Sequence, residues 1–515
     1  MPIPGLPIAQ RRLFGELPAS VARVNAAQWI EGARLVHEAG GRLVAIWGAD
    51  RRDAGEAFAV DAAYATAEGL SVLELAVAEG EESYPDLSGL FPCANRMQRA
   101  VHDLLGLVPE GAVDVRPWLR HGAWRPTDYP LRRDFDAEAY RVNAIEPYPF
   151  VRVEGDGVHE IAVGPIHAGV IEPGHFRFSV VGEKVLRLEE RLGYTHKGID
   201  RRFGDFTVAE GYRLAGRCSG DSTVTYAWAY AQAAESLLGV EVAPRARWLR
   251  ALMLEMERIA NHLNDLGHLG NDAAFAFALA QFSRLREDWL RLCDGVFGHR
   301  LMMDRVVPGG VAGDVEAAAR DAIAARADAV EREARELREI FDEHSGLQDR
   351  FITAGRVTPE LARTLGLIGL AGRASGQALD LRVDFPVEPY TRLAVEKKVD
   401  ARGDVAARVR VRFDELFESL RLVRAILASL PGGDVRVALP EPRAGAFGVG
   451  WVEGWRGEVF VAIEAGEGGR IRRAHAHDPS WQNWPLVEHA IMGNIVPDFP
   501  LINKSFNLGY SGTDC

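Results

Sequence analysis

An α+β fold in two parts is predicted by two observations. Apolar residues recur at i, i+3, i+4 and i+7 in a series of segments from about residue 207 to 430, whereas strand-like patterns mark residues 42–50, 72–79, 148–191 and the stretch after 434. The chain has 515 residues, enough for several domains with large cores, and its 47% hydrophobic and 26% charged content is ordinary for a globular protein. The expected arrangement is an N-terminal α/β module over residues 1–140, a linker over 141–158, and a long helical bundle with a β cap over 159–515.

In the N-terminal module an amphipathic helix near 26–39 is followed by RLVAIWGAD (42–50) and VLELAVAE (72–79), two strands. A helix is expected after Pro92, within SYPDLSGLFPCANRMQRAVHDLLGLVPEGA (83–112). WRPTDYPLRRDFD (124–136) is rich in Pro, Arg and Asp, which suits an extended tail. Beyond the linker, HFRFSV and KVLRLEERL alternate about glycine turns and read as antiparallel hairpins. Helices are expected near 222–238, 245–267, 273–298, 313–344, 358–371 and 401–429. Pro308-Gly-Gly and Pro431-Gly-Gly punctuate them.

The net charge of −13 argues against a general nucleic-acid binder, which needs a basic face for phosphates. No stretch has the roughly 18 consecutive apolar residues of a membrane span, and the N-terminus lacks an apolar signal core. A cytoplasmic chain is expected, with any membrane association made through partners. Cys93, Cys218, Cys293 and Cys515 form no C-x-x-C pair, so neither a disulfide framework nor a zinc or iron–sulfur site is expected in this chain.

Several motifs in one order carry a family resemblance. They include GPIHAGVIEPGHFRF (164–178), YTHKGID (194–200), GRCSGDS (216–222), LMLEMERIANHLNDLG (252–267), RASGQALDLRVDFP (373–386), VEGWRGEVF (452–460), SWQNWP (480–485) and the tail DFPLINKSFNLGYSGTDC (498–515). Together they resemble the large subunits of energy-converting nickel–iron hydrogenases and the D-type subunit of respiratory complex I. Residues 83–135 resemble the C-type subunit of complex I, although the glutamates usual in its helix are missing between Asn95 and Gly106.

In hydrogenases of this family two pairs of cysteines hold a nickel–iron centre. The resemblance places the second pair at Gly509 and Gly512, which have no side chain to offer, and the first at Ser219 and Ser222. With a one-residue gap the first pair would instead be Cys218 and Asp221. Soft-metal sites of this kind need thiolates, so hydrogen activation is not expected. Nickel-carrying relatives are generally made with a C-terminal extension that is later removed, whereas this sequence stops just past Gly512, which adds to the expectation of a metal-free cavity. Cys218 and Cys515 could meet across it.

The resemblance implies an oxidoreductase subunit: the peripheral-arm large subunit of an ion-translocating redox complex, its emptied site reused for quinone or another substrate. The alternative is a non-catalytic coupling subunit. Expected partners are a small 4Fe–4S subunit, a ferredoxin-like subunit, and antiporter-like and other membrane subunits; iron–sulfur clusters would sit on these partners and none on this chain. Candidate proton-relay or substrate-contact residues are His167, His196, Asp200, Arg217 and Asp221. Ser219, Ser222, Gly509 and Gly512 mark the former ligand positions, with Tyr226 and Tyr510 as nearby phenols. His175, Arg373, Asp380 and Asp384 are expected around the same site. A buried salt-bridge network that only holds the fold is the competing reading of these groups.

Overall fold

The computed structural model describes residues 3–78, 80–122, 124–138, 147–167 and 171–515. The first part of the expected linker, 141–146, lies outside them, as do Ala168–Val170 of the GPIHAGV motif.

The N-terminal module is a five-stranded sheet with two helices. Its strands are β1 (Arg11–Arg12), β2 (Ala19–Val24), β3 (Arg42–Asp50), β4 (Phe58–Thr66) and β5 (Gly69–Val77), in the spatial order β1-β2-β5-β4-β3. The β2–β5 pair is parallel and the others antiparallel. Helix α1 (Ala26–Glu38) starts where it does because Asn25 and Gln28 form a reciprocal capping box. Helix α2 (Ala94–Leu105) ends at Gly106, whose φ of 75° is the left-handed conformation that a Cβ disfavours. The 124–136 segment has no regular structure, as expected, but it is pinned: Trp124 is buried, Leu131 N donates to Leu104 O, and Arg133 N donates to Asp50.

A three-stranded hairpin sheet follows, β6 (Val158–Val163), β7 (His175–Val181) and β8 (Lys184–Arg191). The bundle is built from α3 (Thr223–Leu238), α4 (Pro244–Asp272), α5 (Ala276–Phe297), α6 (Ala317–Glu343) and α7 (Val405–Ser429). Pro244 occupies the first turn of α4, where its missing N–H costs nothing, and Asp404 caps α7 through Ala407 N. The single helix expected over 358–371 is two short ones, Pro359–Leu365 and Gly369–Arg373. Gly366 and Gly369, at φ 74° and 63°, break it.

Strands β9 (Phe447–Glu453), β10 (Glu458–Ala465) and β11 (Ile471–His477) form an antiparallel sheet, followed by α8 (Ser480–Ala490) and α9 (Phe499–Phe506). One face of this sheet lies against α3. Gly448 and Gly450 permit that approach, because a Cβ on either would run into the backbone carbonyl of Ala233 or Ala229. The other face packs on the N-terminal sheet, where Trp47, Ala63 and Val72 meet Trp451, Phe460 and Ala462 in one core. The four tryptophans expected in the core or at an interface, Trp451, Trp455, Trp481 and Trp484, are all buried.

Candidate functional site

Three separate segments converge at the end of α3: the 216–222 loop, the turn after β11, and the tail after α9. Arg456, in the β9–β10 turn, joins two of them. Its guanidinium is bidentate to Asp221 at 2.6 and 2.8 Å, and its Nε donates to Asn507 O at 2.6 Å. Ser219 and Ser222 both turn their hydroxyls onto Asp221, at 2.8 and 3.1 Å. Burial alone would raise the Asp221 carboxyl, but Arg456 and the serines outweigh it and hold it down to about 2. Trp455 Nε1 donates to Ser222 Oγ at 3.0 Å, so this serine is fully engaged.

Of the two glycines at which the resemblance expects the second ligand pair, Gly512 has its side-chain space taken by Asp478. A Cβ placed on Gly512 would collide with Asp478 Oδ2 and approach Tyr226 Oη, and one on Gly509 would touch both Asp478 oxygens and Ser480 Oγ. Asp478 is buried, accepts from Tyr226 Oη at 2.6 Å and from Ser480 N at 2.8 Å, and directly follows β11. Burial and the neighbouring carboxylate keep the Tyr226 phenol protonated far above its ordinary range. Ser480 Oγ in turn accepts from Gly509 N at 2.8 Å. A nickel–iron centre does not fit this constellation. Two of the four positions offer no side chain, a carboxylate fills the space of one of them, Gly512, and the other two hold their oxygens on Asp221. The expected open cavity over Gly509 and Gly512 is therefore corrected at Gly512: its floor is closed by Asp478 and Tyr226.

Cys218 and Cys515 do meet. The Cys515 thiol is raised well above its ordinary value by its contact with the Cys218 thiol and by burial, so it stays a protonated hydrophobe at neutral pH. Among the described residues no group of three or more His, Cys, Asp or Glu side chains is arranged to hold a metal ion.

Other candidate residues divide into near and far. His196 Nδ1 donates to Asp514 O at 2.8 Å, which ties the YTHKGID loop to the tail, and burial lowers its basicity. Asp200 lies in a neighbouring buried group with Arg473 at 2.7 Å and His475 Nδ1 at 3.2 Å, both on β11, the strand that leads into Asp478. Burial opposes its ionisation, yet Arg473 and His475 hold Asp200 down to about 2. Tyr510 stacks edge-on against Trp484 and accepts from Asn503, while its backbone N–H points to Glu172 in the hairpin loop. His167 and His175 bond backbone carbonyls of that same loop, Gly174 O and Gly164 O, and brace it. Arg217 points to the surface and pairs with Asp304, away from the convergence point. Arg373 and Asp380 belong to a separate buried cluster, and Asp384 pairs with Lys397.

Two further groups at the site are not among the candidates that the sequence offers. Asp478 sits in HDPS, between a strand and a helix, with no spacing to mark it. Glu257 on α4 accepts from Val224 N, Thr225 N and Thr225 Oγ1 and so caps α3 from outside; burial raises it to about 8 despite those bonds.

Comparison with known proteins agrees with this architecture. The model of the respiratory-chain NADH dehydrogenase 30 Kd subunit matches residues 22–141, and that of the 49 Kd subunit matches residues 269–446. Formate hydrogenlyase subunit 5 of Escherichia coli (strain K12) is 30% identical over 493 residues, 93% of this chain and 86% of the relative. The C/D-type subunit of NADH-quinone oxidoreductase from Phocaeicola vulgatus is 28% identical over 74% of this chain and 77% of its own length. In fold, the chain is similar to one from the membrane-bound sulfane sulfur reductase, an archaeal respiratory membrane complex, with a TM-score of 0.66 at 23% identity, covering 70% of this chain and 99% of that one. The chain belongs to the family of fused 30 Kd and 49 Kd respiratory-chain subunits that includes formate hydrogenlyase subunit 5 and the C/D-type subunits of NADH-quinone oxidoreductase. Among the described residues no helix is long and apolar enough to cross a membrane.

Proposed function

We propose that the chain is the peripheral large subunit of a membrane-associated, ion-translocating redox complex, working without a nickel–iron centre. The observation that carries the second half of this reading is the Asp478–Tyr226 pair, seated at 2.6 Å where a side chain on Gly512 would lie. A buried phenol bonded to a carboxylate holds and passes protons; it has no thiolate with which to bind a soft metal. In this reading electrons travel on iron–sulfur clusters of a small 4Fe–4S subunit and a ferredoxin-like subunit, and antiporter-like membrane subunits move the ion. The acceptor, a quinone or another small substrate, is reached beside the Asp221–Arg456 ion pair, because Gly512 itself is closed over. The proposed domain division remains 1–140, 141–158 and 159–515, and the proposed place is the cytoplasmic face of the cell membrane.

A second reading, a coupling subunit with no chemistry of its own, is favoured by the same closure, since a filled pocket transmits packing changes without admitting a guest. Purification of the intact complex through a tag on this chain separates the two. Quinone-analogue reduction that falls at least tenfold in Tyr226→Phe and Asp478→Asn supports the redox reading. Unchanged electron transfer with lost ion movement supports the coupling reading. Isolation of the chain free of iron–sulfur and membrane subunits would overturn both.

A further inference from the structure

Behind the site, α4, α7, the Gly369–Arg373 helix and β9 enclose a cluster of ionisable side chains with almost no solvent exposure. Arg382 joins two of its carboxylates, Glu255 at 3.1 Å and Asp380 at 2.7 Å. Arg373 joins the other two, Glu415 and Glu453, both at 2.7 Å. Arg258 completes the set, 3.3 Å from Glu255, with its other nitrogens on the carbonyls of Glu453 and Gly454. All seven of these side chains are buried.

The charges do not cancel. Four carboxylates face three guanidiniums, and guanidinium stays charged under all ordinary conditions. The neighbouring ion pairs do not close the gap, because Arg412 is matched by Asp265 and Arg42 by Glu458. Tyr390 and Ser419 donate to Glu255 at 2.7 Å and keep their own protons. An uncompensated charge at this depth carries a large desolvation penalty, so one site in the cluster must hold a proton.

Two groups can take it, His262 and Glu453. His262 Nε2 donates to Glu415 at 3.0 Å while its Nδ1 is buried with no partner, so a second N–H there would have no acceptor; burial and the nearby arginines also disfavour the cation. Glu453 accepts from Arg373 and, at 3.2 Å, from Leu381 N, and faces Asp380 across the cluster. Burial and Asp380 raise its carboxyl to about 7, against the pull of Arg373 and Arg258. It is also the member with a way out. A cavity of about 430 Å³ between the N-terminal sheet and the cluster is lined by Glu453, Asp380, Arg42 and Glu458, and it reaches the exposed residues Ala67 and Leu379.

We propose that this cluster is a proton-binding site of one, that the proton sits on a carboxylate oxygen of Glu453, and that it exchanges with water in the cavity beneath the N-terminal sheet. Uptake converts the carboxylate to the neutral acid and leaves the cluster uncharged; release returns the proton to water. From Glu453 the bonded chain Arg373, Glu415, His262 runs to the edge of Trp455, whose indole holds Ser222 in the site. The inference deepens the proposed function by supplying a proton store beside that site.

Infrared titration of the purified full-length chain, labelled with ¹³C-glutamate, tests it. One labelled carboxylic-acid C=O band, distinct from that of Glu257, whose carboxyl is raised to about 8, should disappear with a midpoint near pH 7 as pH rises. The band should be missing in Glu453→Gln and retained in Glu257→Gln and His262→Gln. Thermal unfolding gives a second readout. The folded state prefers the protonated acid, so wild type should lose melting temperature relative to Glu453→Gln as pH rises from about 5 to 8. A wild-type chain with no glutamate band titrating near pH 7, such a band that survives in Glu453→Gln, or a melting difference that does not change with pH, overturns the proposal. Neither readout depends on electron transfer, so the inference and the proposed function fail separately.

Discussion

Tyr226 donates a 2.6 Å hydrogen bond to Asp478, and this buried pair stands where the family resemblance puts a metal-binding side chain. At Gly512, where that resemblance expects a thiolate, a Cβ would collide with Asp478 Oδ2.

Crowding at Gly512 is testable by the smallest possible side chain. Gly512→Ala should lower stability by about 1–3 kcal/mol, the usual range for overpacking, because its methyl group meets Asp478 and Tyr226. Gly220→Ala is the control, since a Cβ there meets nothing within 4 Å. Equal melting temperatures for the two variants would contradict the assignment of Asp478 to that space.

Removal of the Tyr226 hydroxyl leaves the Asp478 carboxylate, among the described residues, with only Ser480 N as a hydrogen-bond donor. Tyr226→Phe should cost about 1–3 kcal/mol in denaturant unfolding, the penalty of an under-satisfied buried acceptor. Asp478→Asn, which can still accept from the phenol, should cost less.

Stability at low pH should depend on Asp200. Its folded-state value of about 2 lies below the ordinary carboxylate value of 3.8, so its contribution is present above about pH 4 and is lost as pH falls toward 2. The shift corresponds to about 2 kcal/mol for this buried group. Asp200→Asn should therefore flatten the acid limb of a stability–pH curve. An acid limb as steep as wild type would show that Arg473 and His475 do not hold the carboxylate.

Metal analysis of the proposed complex should find no stoichiometric nickel. Nickel at one atom per copy of this chain would overturn the reading of Ser219, Ser222, Gly509 and Gly512. Nor should Gly509→Cys with Gly512→Cys restore nickel, because Asp478 occupies the space that the second thiolate needs.

Arg217 offers a contrast. Its ion pair with Asp304 is exposed, and Arg217→Ala should change stability by no more than about 1 kcal/mol. A large loss of quinone-analogue reduction in that variant would return it to the site.

The legible parts of the fold are those with a strong local pattern. Residues 42–50 form an apolar-rich strand, and the helices over 222–429 repeat at 3.6 residues; both are expected from sequence and, apart from the broken 358–371 helix, both are present. Strand β4 is not, because FAVDAAYAT is alanine-rich and carries Asp61 facing a buried cluster with Arg51, Glu74 and Glu464, so neither propensity nor alternation marks it. In the site, Ser219, Ser222, Gly509 and Gly512 can be placed by their motifs. Arg217 cannot be aimed, since one residue of rotation on a tight loop decides between solvent and site. Asp478 is invisible because what selects it is contact with Tyr226, 252 positions away in sequence.

The seam between the two sheets has a mechanical consequence. Arginines from the N-terminal module grip β10 at both ends, Arg42 on Glu458 and Arg51 on Glu464. Strand β10 is laddered to β11, and β11 runs through Arg473 and His475 directly into Asp478. A partner that tilts the N-terminal module therefore pulls on a rigid rod whose far tip is the site carboxylate. The module is thereby a handle on Asp478.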